Sequence, residues 1–107
     1  MRPCAIGAET VYAVTVHILI KSEFTSAFRE KMLNNARASR KSEPGCRQFD
    51  VTVLPEDPNH FFLYEIYDDE AAFHAHRATS HYREFIAATT PWIVSKNAQF
   101  FQRIDPN

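Results

Sequence analysis

The stretch from Phe61 to Tyr67 leaves few arrangements open to the rest of the chain. Extended, it alternates Phe62, Tyr64 and Ile66 on one face with Phe61, Leu63, Glu65 and Tyr67 on the other, so both faces are largely apolar. A strand of that kind has to be covered on both sides. The helices of a small chain usually cover one side of an antiparallel sheet, so the patterning predicts that a second copy of the chain covers the other, in a homodimer. Upstream, Pro55-Glu56-Asp57-Pro58-Asn59 is turn chemistry. The strand before it, Arg47 to Leu54 with Phe49, Val51 and Val53 as its apolar row, is therefore expected to pair with Phe61–Tyr67 as an antiparallel hairpin.

The remaining elements follow from period and punctuation. Val11 to Ile20 is β-branched and alternating, with Tyr12, Val14, Val16, Ile18 and Ile20 in one row. Ser22-Glu23 opens a helix in which Phe24, Phe28, Met32 or Leu33, and Ala36 recur at three-to-four spacing, and Pro44-Gly45 ends it. Asp68 or Asp69 caps a second helix over Glu70 to Thr79. Ser80 is expected to cap a third segment from His81 to Thr89, and a last strand runs roughly from Gln99 to Ile104. The order is βαββαβ: an α+β, ferredoxin-like plan with helices packed on one face of an antiparallel sheet. Residues 1–10 read as a flexible N-terminal extension and residues 11–107 as a single domain.

Composition narrows the function. A net charge of −1 gives no basic stripe for nucleic acid and no support for an anionic membrane surface. No apolar run approaches the roughly twenty residues that span a bilayer, and Met1 to Thr10 lacks the apolar core of a signal peptide, so a cytoplasmic location is expected. Cys4 and Cys46 have neither the number nor the spacing of a disulfide framework or zinc site, and read as free thiols. With Gly7 and Gly45 as the only glycines, neither a dinucleotide fingerprint nor a phosphate loop can be built. No cofactor is expected.

The residues with chemistry crowd between Tyr64 and Tyr82. His76 lies three residues after Phe73 and shares its inward face, so it is either a satisfied core histidine or a base in a pocket between helix and sheet. Glu65 stands in apolar company; it serves as an ordinary paired carboxylate, or orients His76, or has its pKa raised by desolvation. Tyr64, Tyr67 and Tyr82 are core or pocket aromatics whose hydroxyls would suit a planar phenolic or carbonyl ligand. Phe73 and His81 border the same region, and Trp92, after Pro91, is placed to seal a cavity mouth or simply to pack. No metal site is expected: His74 and His76 diverge on a helix, and the i, i+4 histidine pair that binds zinc is absent.

Glu43-Pro-Gly-Cys46, Phe62-Leu-Tyr-Glu65-Ile-Tyr-Asp68 and Ala72-Phe-His-Ala-His76-Arg-Ala-Thr-Ser-His81-Tyr82 together resemble the antibiotic biosynthesis monooxygenase (ABM) domain family, over about residues 11 to 104. The resemblance implies a dimeric α+β barrel in which two ferredoxin-like protomers stack their sheets and the last strand often reaches the partner. Members include cofactor-free monooxygenases of quinols or anthrones, haem degraders, and the isomerase that processes the phosphorylated autoinducer-2 signal. Haem degraders carry a Trp where this chain has Tyr67, and the other residues of their haem site find no match, so haem is not expected.

The expected activity is therefore a cofactor-independent monooxygenase that deprotonates a small aromatic substrate for reaction with O₂. His76 is the expected base or anion-stabilising donor and Glu65 its orienter, with Tyr64, Tyr67, Tyr82, His81, Phe73 and Trp92 around the substrate. Two alternatives stay open: an isomerase of a small phosphorylated hydroxy-diketone, for which Arg29, Arg77 and Arg83 are scattered candidate cations, and a dimer that binds a small molecule without turnover.

Overall fold

The computed structural model describes residues 11–105, so the expectation of a flexible N-terminal extension lies outside the described residues, as does Cys4. Strand β1 (Val11–Ile20) leads through a short 3-10 turn at Ser22–Phe24 into helix α1 (Thr25–Ser42). The hairpin β2 (Cys46–Leu54) and β3 (Asp57–Tyr67) follows, then α2 (Glu70–Arg77), α3 (Ser80–Thr89), a second 3-10 turn at Thr90–Trp92 and β4 (Ile93–Arg103). The strands form one four-stranded sheet in the order β2-β3-β1-β4, every neighbour antiparallel. This is the ferredoxin-like α+β arrangement.

Register decides which residues meet. Val14 pairs with Glu65 on one side and Phe100 on the other, and Ile18 pairs with Phe61 and with Lys96. Residues directly opposite in an antiparallel pair share a face. The row Tyr12, Val14, Val16, Ile18 and Ile20 therefore lies with Phe61, Leu63, Glu65 and Tyr67 and with Lys96, Ala98 and Phe100. Helix α1 lays Phe28, Met32 and Ala36 onto this face, and Phe73 of α2 and Phe85 of α3 complete the main core.

The opposite face carries a smaller cluster, Val11, Ala13 and Ile66 with Tyr64 against it. Among the described residues no helix covers it, and Phe101 beside Ala13 stays 48% exposed.

Three local expectations are corrected. The hairpin turn is only Pro55-Glu56, because β3 pairs with β2 from Leu54↔Asp57 onward. Pro58, Asn59 and His60 bulge between that pair and Val53↔Phe61, where a missing N–H breaks no ladder bond. Thr79, not Ser80, caps α3, its Oγ1 accepting the Tyr82 N–H at 3.2 Å while donating to the His76 carbonyl at 2.7 Å. Strand β4 begins at Ile93 rather than near Gln99, since an edge strand exposed along most of its length needs no apolar alternation to form.

The α1–β2 corner is fixed by close packing. A Cβ at Gly45 would stand 2.5 Å from the Ala72 Cβ, so only glycine lets α2 approach there. Asp69 caps α2 by accepting the Ala72 N–H at 2.8 Å.

Candidate functional site

A cavity of about 190 Å³ opens between the helix-facing side of the sheet and the helices. Its walls are apolar, with Val14, Val16 and Leu63 below and Met32, Phe73 and Phe85 above. Into it face six polar side chains: Asn35, Glu65, His76, Arg77, Tyr82 and Lys96.

Glu65 is 4% exposed and accepts a hydrogen bond from the Tyr67 hydroxyl at 2.7 Å. Burial pushes its carboxyl up to about 7; the Tyr67 hydrogen bond and the Lys96 charge pull the other way, and Glu43 adds to the rise. Tyr67 is itself raised, by burial first and then by the neighbouring Glu65 charge. Lys96 is lowered by burial, with Glu65 opposing that shift. The cavity thus holds a carboxyl that populates both protonation states at neutral pH, with the Lys96 side chain at its rim.

His76 is buried, with Nδ1 3.0 Å from both oxygens of Glu43. His81 brings its Nε2 to within 2.6 Å of the same carboxylate. Ser39 Oγ donates to the Asn35 carbonyl at 2.9 Å and lies 3.3 Å from His76 Nδ1 and 3.4 Å from His81 Nε2. A carboxylate can only accept, so the His76 ring donates to it from Nδ1, and Nε2 is the ring nitrogen that Glu43 does not engage. Burial lowers the His76 pKa, while the Glu43 hydrogen bond and charge raise it.

The structure separates the expected site residues into groups. His76, Glu65, Tyr82 and Phe73 line the cavity. Tyr67 stands behind Glu65 as its hydrogen-bond donor, and His81 stands behind His76 through Glu43. The expected pairing of Glu65 with His76 gives way to two separate pairs, Glu65 with Tyr67 and His76 with Glu43.

Tyr64 is not at this site: strand parity puts it on the open face, opposite Thr15. Trp92 does not close the mouth; it stacks on Phe24 with ring centroids 5.4 Å apart. His74 is exposed and pairs with Glu70 one turn before it.

Sequence reasoning missed Asn35, Ser39, Glu43 and Lys96. The first three carried a signal. They recur every four residues and continue the inward stripe of α1 into its C-terminal cap, where apolar residues give way to polar ones. Lys96 carried none, because only the β1–β4 register brings it opposite Ile18. Helical spacing compares only His74 with His76 and gives no hint of a metal. Tertiary packing sets Glu43, His76 and His81 so that one ligand atom of each lies within 4.8 Å of the others.

Residues 11–88 match the antibiotic biosynthesis monooxygenase family. An isomerase of (4S)-4-hydroxy-5-phosphonooxypentane-2,3-dione from Salmonella paratyphi B is 33% identical over 82 residues, covering 77% of this chain and 80% of its own. The chain belongs to the antibiotic biosynthesis monooxygenase family. The Escherichia coli K12 isomerase of the same name is 35% identical to it over 73% of this chain and 76% of that one. Among solved structures, a provisionally named antibiotic biosynthesis monooxygenase from Nitrosomonas europaea superposes with a TM-score of 0.86 at 28% identity, covering 92% of this chain and 94% of that one. A second, from Bacteroides thetaiotaomicron, gives 0.88 at 27% identity over 94% and 96%. Among the described residues, no helix is long and apolar enough to cross a membrane.

Proposed function

We propose that this chain is an isomerase that shifts a carbonyl group along a small anionic hydroxy-ketone by proton transfer. The observation that carries the reading is the joining of Glu65 and His76, an acid and a base, with the cations Lys96 and Arg77 in one cavity of about 190 Å³. That volume suits a short-chain substrate better than a fused aromatic one. Arg29 and Arg83, the other cations considered from sequence, do not line the cavity.

In this reading Lys96 and Arg77 hold the anionic end, a phosphate ester or a group of similar charge. His76 Nε2 removes the proton from the carbinol carbon beside a carbonyl, and protonated Glu65 gives its proton to the carbonyl oxygen, producing an enediol. The enediol hydroxyl on the former carbinol carbon then returns a proton to Glu65 as that oxygen becomes the new carbonyl. Imidazolium delivers its proton to the neighbouring carbon. Nothing is consumed, and no external oxidant is needed. Tyr82 borders the path, and Tyr67 keeps Glu65 aimed at it. The relatives named for a phosphorylated hydroxy-dione support this substrate class.

A monooxygenase that passes its substrate anion to O₂ is the second reading. It is favoured by the apolar walls and by the names of the structural neighbours. In either case we infer a homodimer that stacks the open sheet faces, which would cover Phe101, Tyr64 and Ile66.

The deciding experiment supplies the purified chain with a phosphorylated hydroxy-dione in deuterated water, followed by NMR. Isomerised product carrying deuterium at the new carbinol carbon is expected, with Lys96→Ala raising KM more than it lowers kcat. Absence of both product and exchange overturns the isomerase. Oxygen uptake with quinols in place of exchange would establish the second reading.

A further inference from the structure

We propose that Glu43, His76 and His81, with Ser39 beside them, form a binding site for a first-row divalent transition metal such as zinc. The site shares His76 with the cavity but uses its other ring nitrogen, Nδ1, which faces Glu43.

The donors come from three elements: Glu43 caps the C-terminus of α1, His76 lies in the last turn of α2 and His81 in the first turn of α3. Thr79 holds the α2–α3 corner by bonding both the His76 carbonyl and the Tyr82 N–H. The two imidazoles are thus presented at a fixed angle. Two imidazole nitrogens and one carboxylate are the donor set of many zinc and non-haem iron sites.

Distances support the assignment. A tetrahedral ion with bonds of about 2.0–2.1 Å separates its ligand atoms by roughly 3.3 Å. Ser39 Oγ already stands 3.3 Å from His76 Nδ1 and 3.4 Å from His81 Nε2. The carboxylate is nearer, 3.0 Å from one nitrogen and 2.6 Å from the other, and would have to draw back for an ion to sit between them.

The count of donors and acceptors points the same way. The Ser39 proton is committed to the Asn35 carbonyl, so its oxygen offers a lone pair to the two nitrogens that the carboxylate also faces. Asn35, one turn earlier, has a side-chain oxygen that is buried and without a hydrogen-bond partner among the described residues. Acceptors outnumber donors here, and a cation corrects that imbalance. The Glu43 carboxylate sets a negative charge among these oxygens, beside both ring nitrogens, where a divalent ion would be held. His81, about a quarter exposed, lines a surface cleft with Asn35 and Glu84 through which an ion could enter.

Occupancy would change what His76 offers the cavity. Without metal its proton sits on Nδ1 against Glu43, and Nε2 carries the lone pair. With metal on Nδ1, the proton moves to Nε2 and the ring becomes a hydrogen-bond donor.

The test uses the full chain stripped with a chelator and titrated with Co²⁺, then Zn²⁺, in the absence of substrate. One equivalent of Co²⁺ per chain is expected, with the visible absorption of a four-coordinate ion, displaced by Zn²⁺. His81→Ala and Glu43→Gln should each weaken binding by at least about tenfold, as loss of even an outer-shell partner commonly does. The exposed pair His17 and His60, 3.0 Å apart on the open face, is the competing site, so His60→Ala should retain the full equivalent. In the unmutated chain, Zn²⁺ should shift the ring resonances of His76 and His81, which keeps the test valid if a variant fails to fold. No metal-dependent absorption, binding unchanged in both site variants, or zinc shifts confined to His17 and His60 would overturn the proposal. Because no readout needs turnover, a chain without isomerase activity tests the site equally well.

Discussion

The two faces of β3 are made from alternate residues of one strand, yet only one of them acquires a site. On the covered face Phe61, Leu63, Glu65 and Tyr67 lie under three helices, and burial lifts the Glu65 carboxyl to about 7. On the open face Phe62, Tyr64 and Ile66 sit among Ala13, Thr15 and His17 with no helix above them among the described residues. The difference teaches that polar residues become reactive through what covers them. His17 and His60 on the open face hydrogen-bond to each other much as His76 and Glu43 do, but they remain solvated at the surface.

The largest effect expected from breaking this comparison is at Glu65. Glu65→Gln keeps the shape and removes the titrating proton, and should lower kcat about 10²–10⁴-fold, the usual contribution of a positioned acid or base. Steady-state kinetics on the proposed substrate would show it. A loss below tenfold would remove Glu65 from the mechanism.

Next in size is Phe61→Ala, which empties a fully buried ring position against Phe28 and should cost about 3–5 kcal/mol in chemical denaturation.

Third is the pH dependence of stability. The Glu65 carboxyl titrates at about 7 in the folded chain against an ordinary value of 4.5, so the folded state binds more protons across that window. Stability should therefore fall as pH rises from about 4.5 to about 7, by roughly 3 kcal/mol in all. Glu65→Gln should abolish that slope and be more stable than the parent at pH 8, the opposite of its effect on turnover. A slope that survives the substitution would assign it to other groups.

Smaller still is Gly45→Ala, whose new methyl meets Ala72 and forces α2 away; about 1–3 kcal/mol is expected, with the Asp69 cap disturbed. The smallest effect on unfolding of the single chain should come from Phe62→Ala, under about 1 kcal/mol because the ring sits on the uncovered face. Its effect on association should be larger. Sedimentation of the variant as monomer where the parent is dimer would sharpen the contrast between faces, and an unchanged monomer in both would break the stacking proposal.

Period and punctuation in the chain were enough to determine the order of elements, the alternating rows of β1, β2 and β3 and the inward faces of α1 and α2. Side-chain direction alternates along a strand and recurs every three to four residues on a helix. That logic placed His76 on the inward face of its helix and Glu65 in one row with Leu63 and Tyr67. It also set Tyr64 in the opposite row from Glu65, although its hydroxyl drew it into the expected site.

What parity cannot supply is which distant residue arrives beside which. His76 received Glu43 rather than Glu65 as its partner because the α1 cap, drawn in at Gly45, delivers a carboxylate under α2. Lys96 reached the cavity through β4 pairing beside β1, a contact between residues 78 positions apart at Ile18↔Lys96. Glu65 owes its raised pKa to burial, a property of everything packed above it and of nothing in its own neighbourhood in the chain. From Phe61 to Tyr67 the sequence determined two apolar faces; only the tertiary structure decided which would be dried by helices, because desolvation is a sum over contacts that local pattern does not encode.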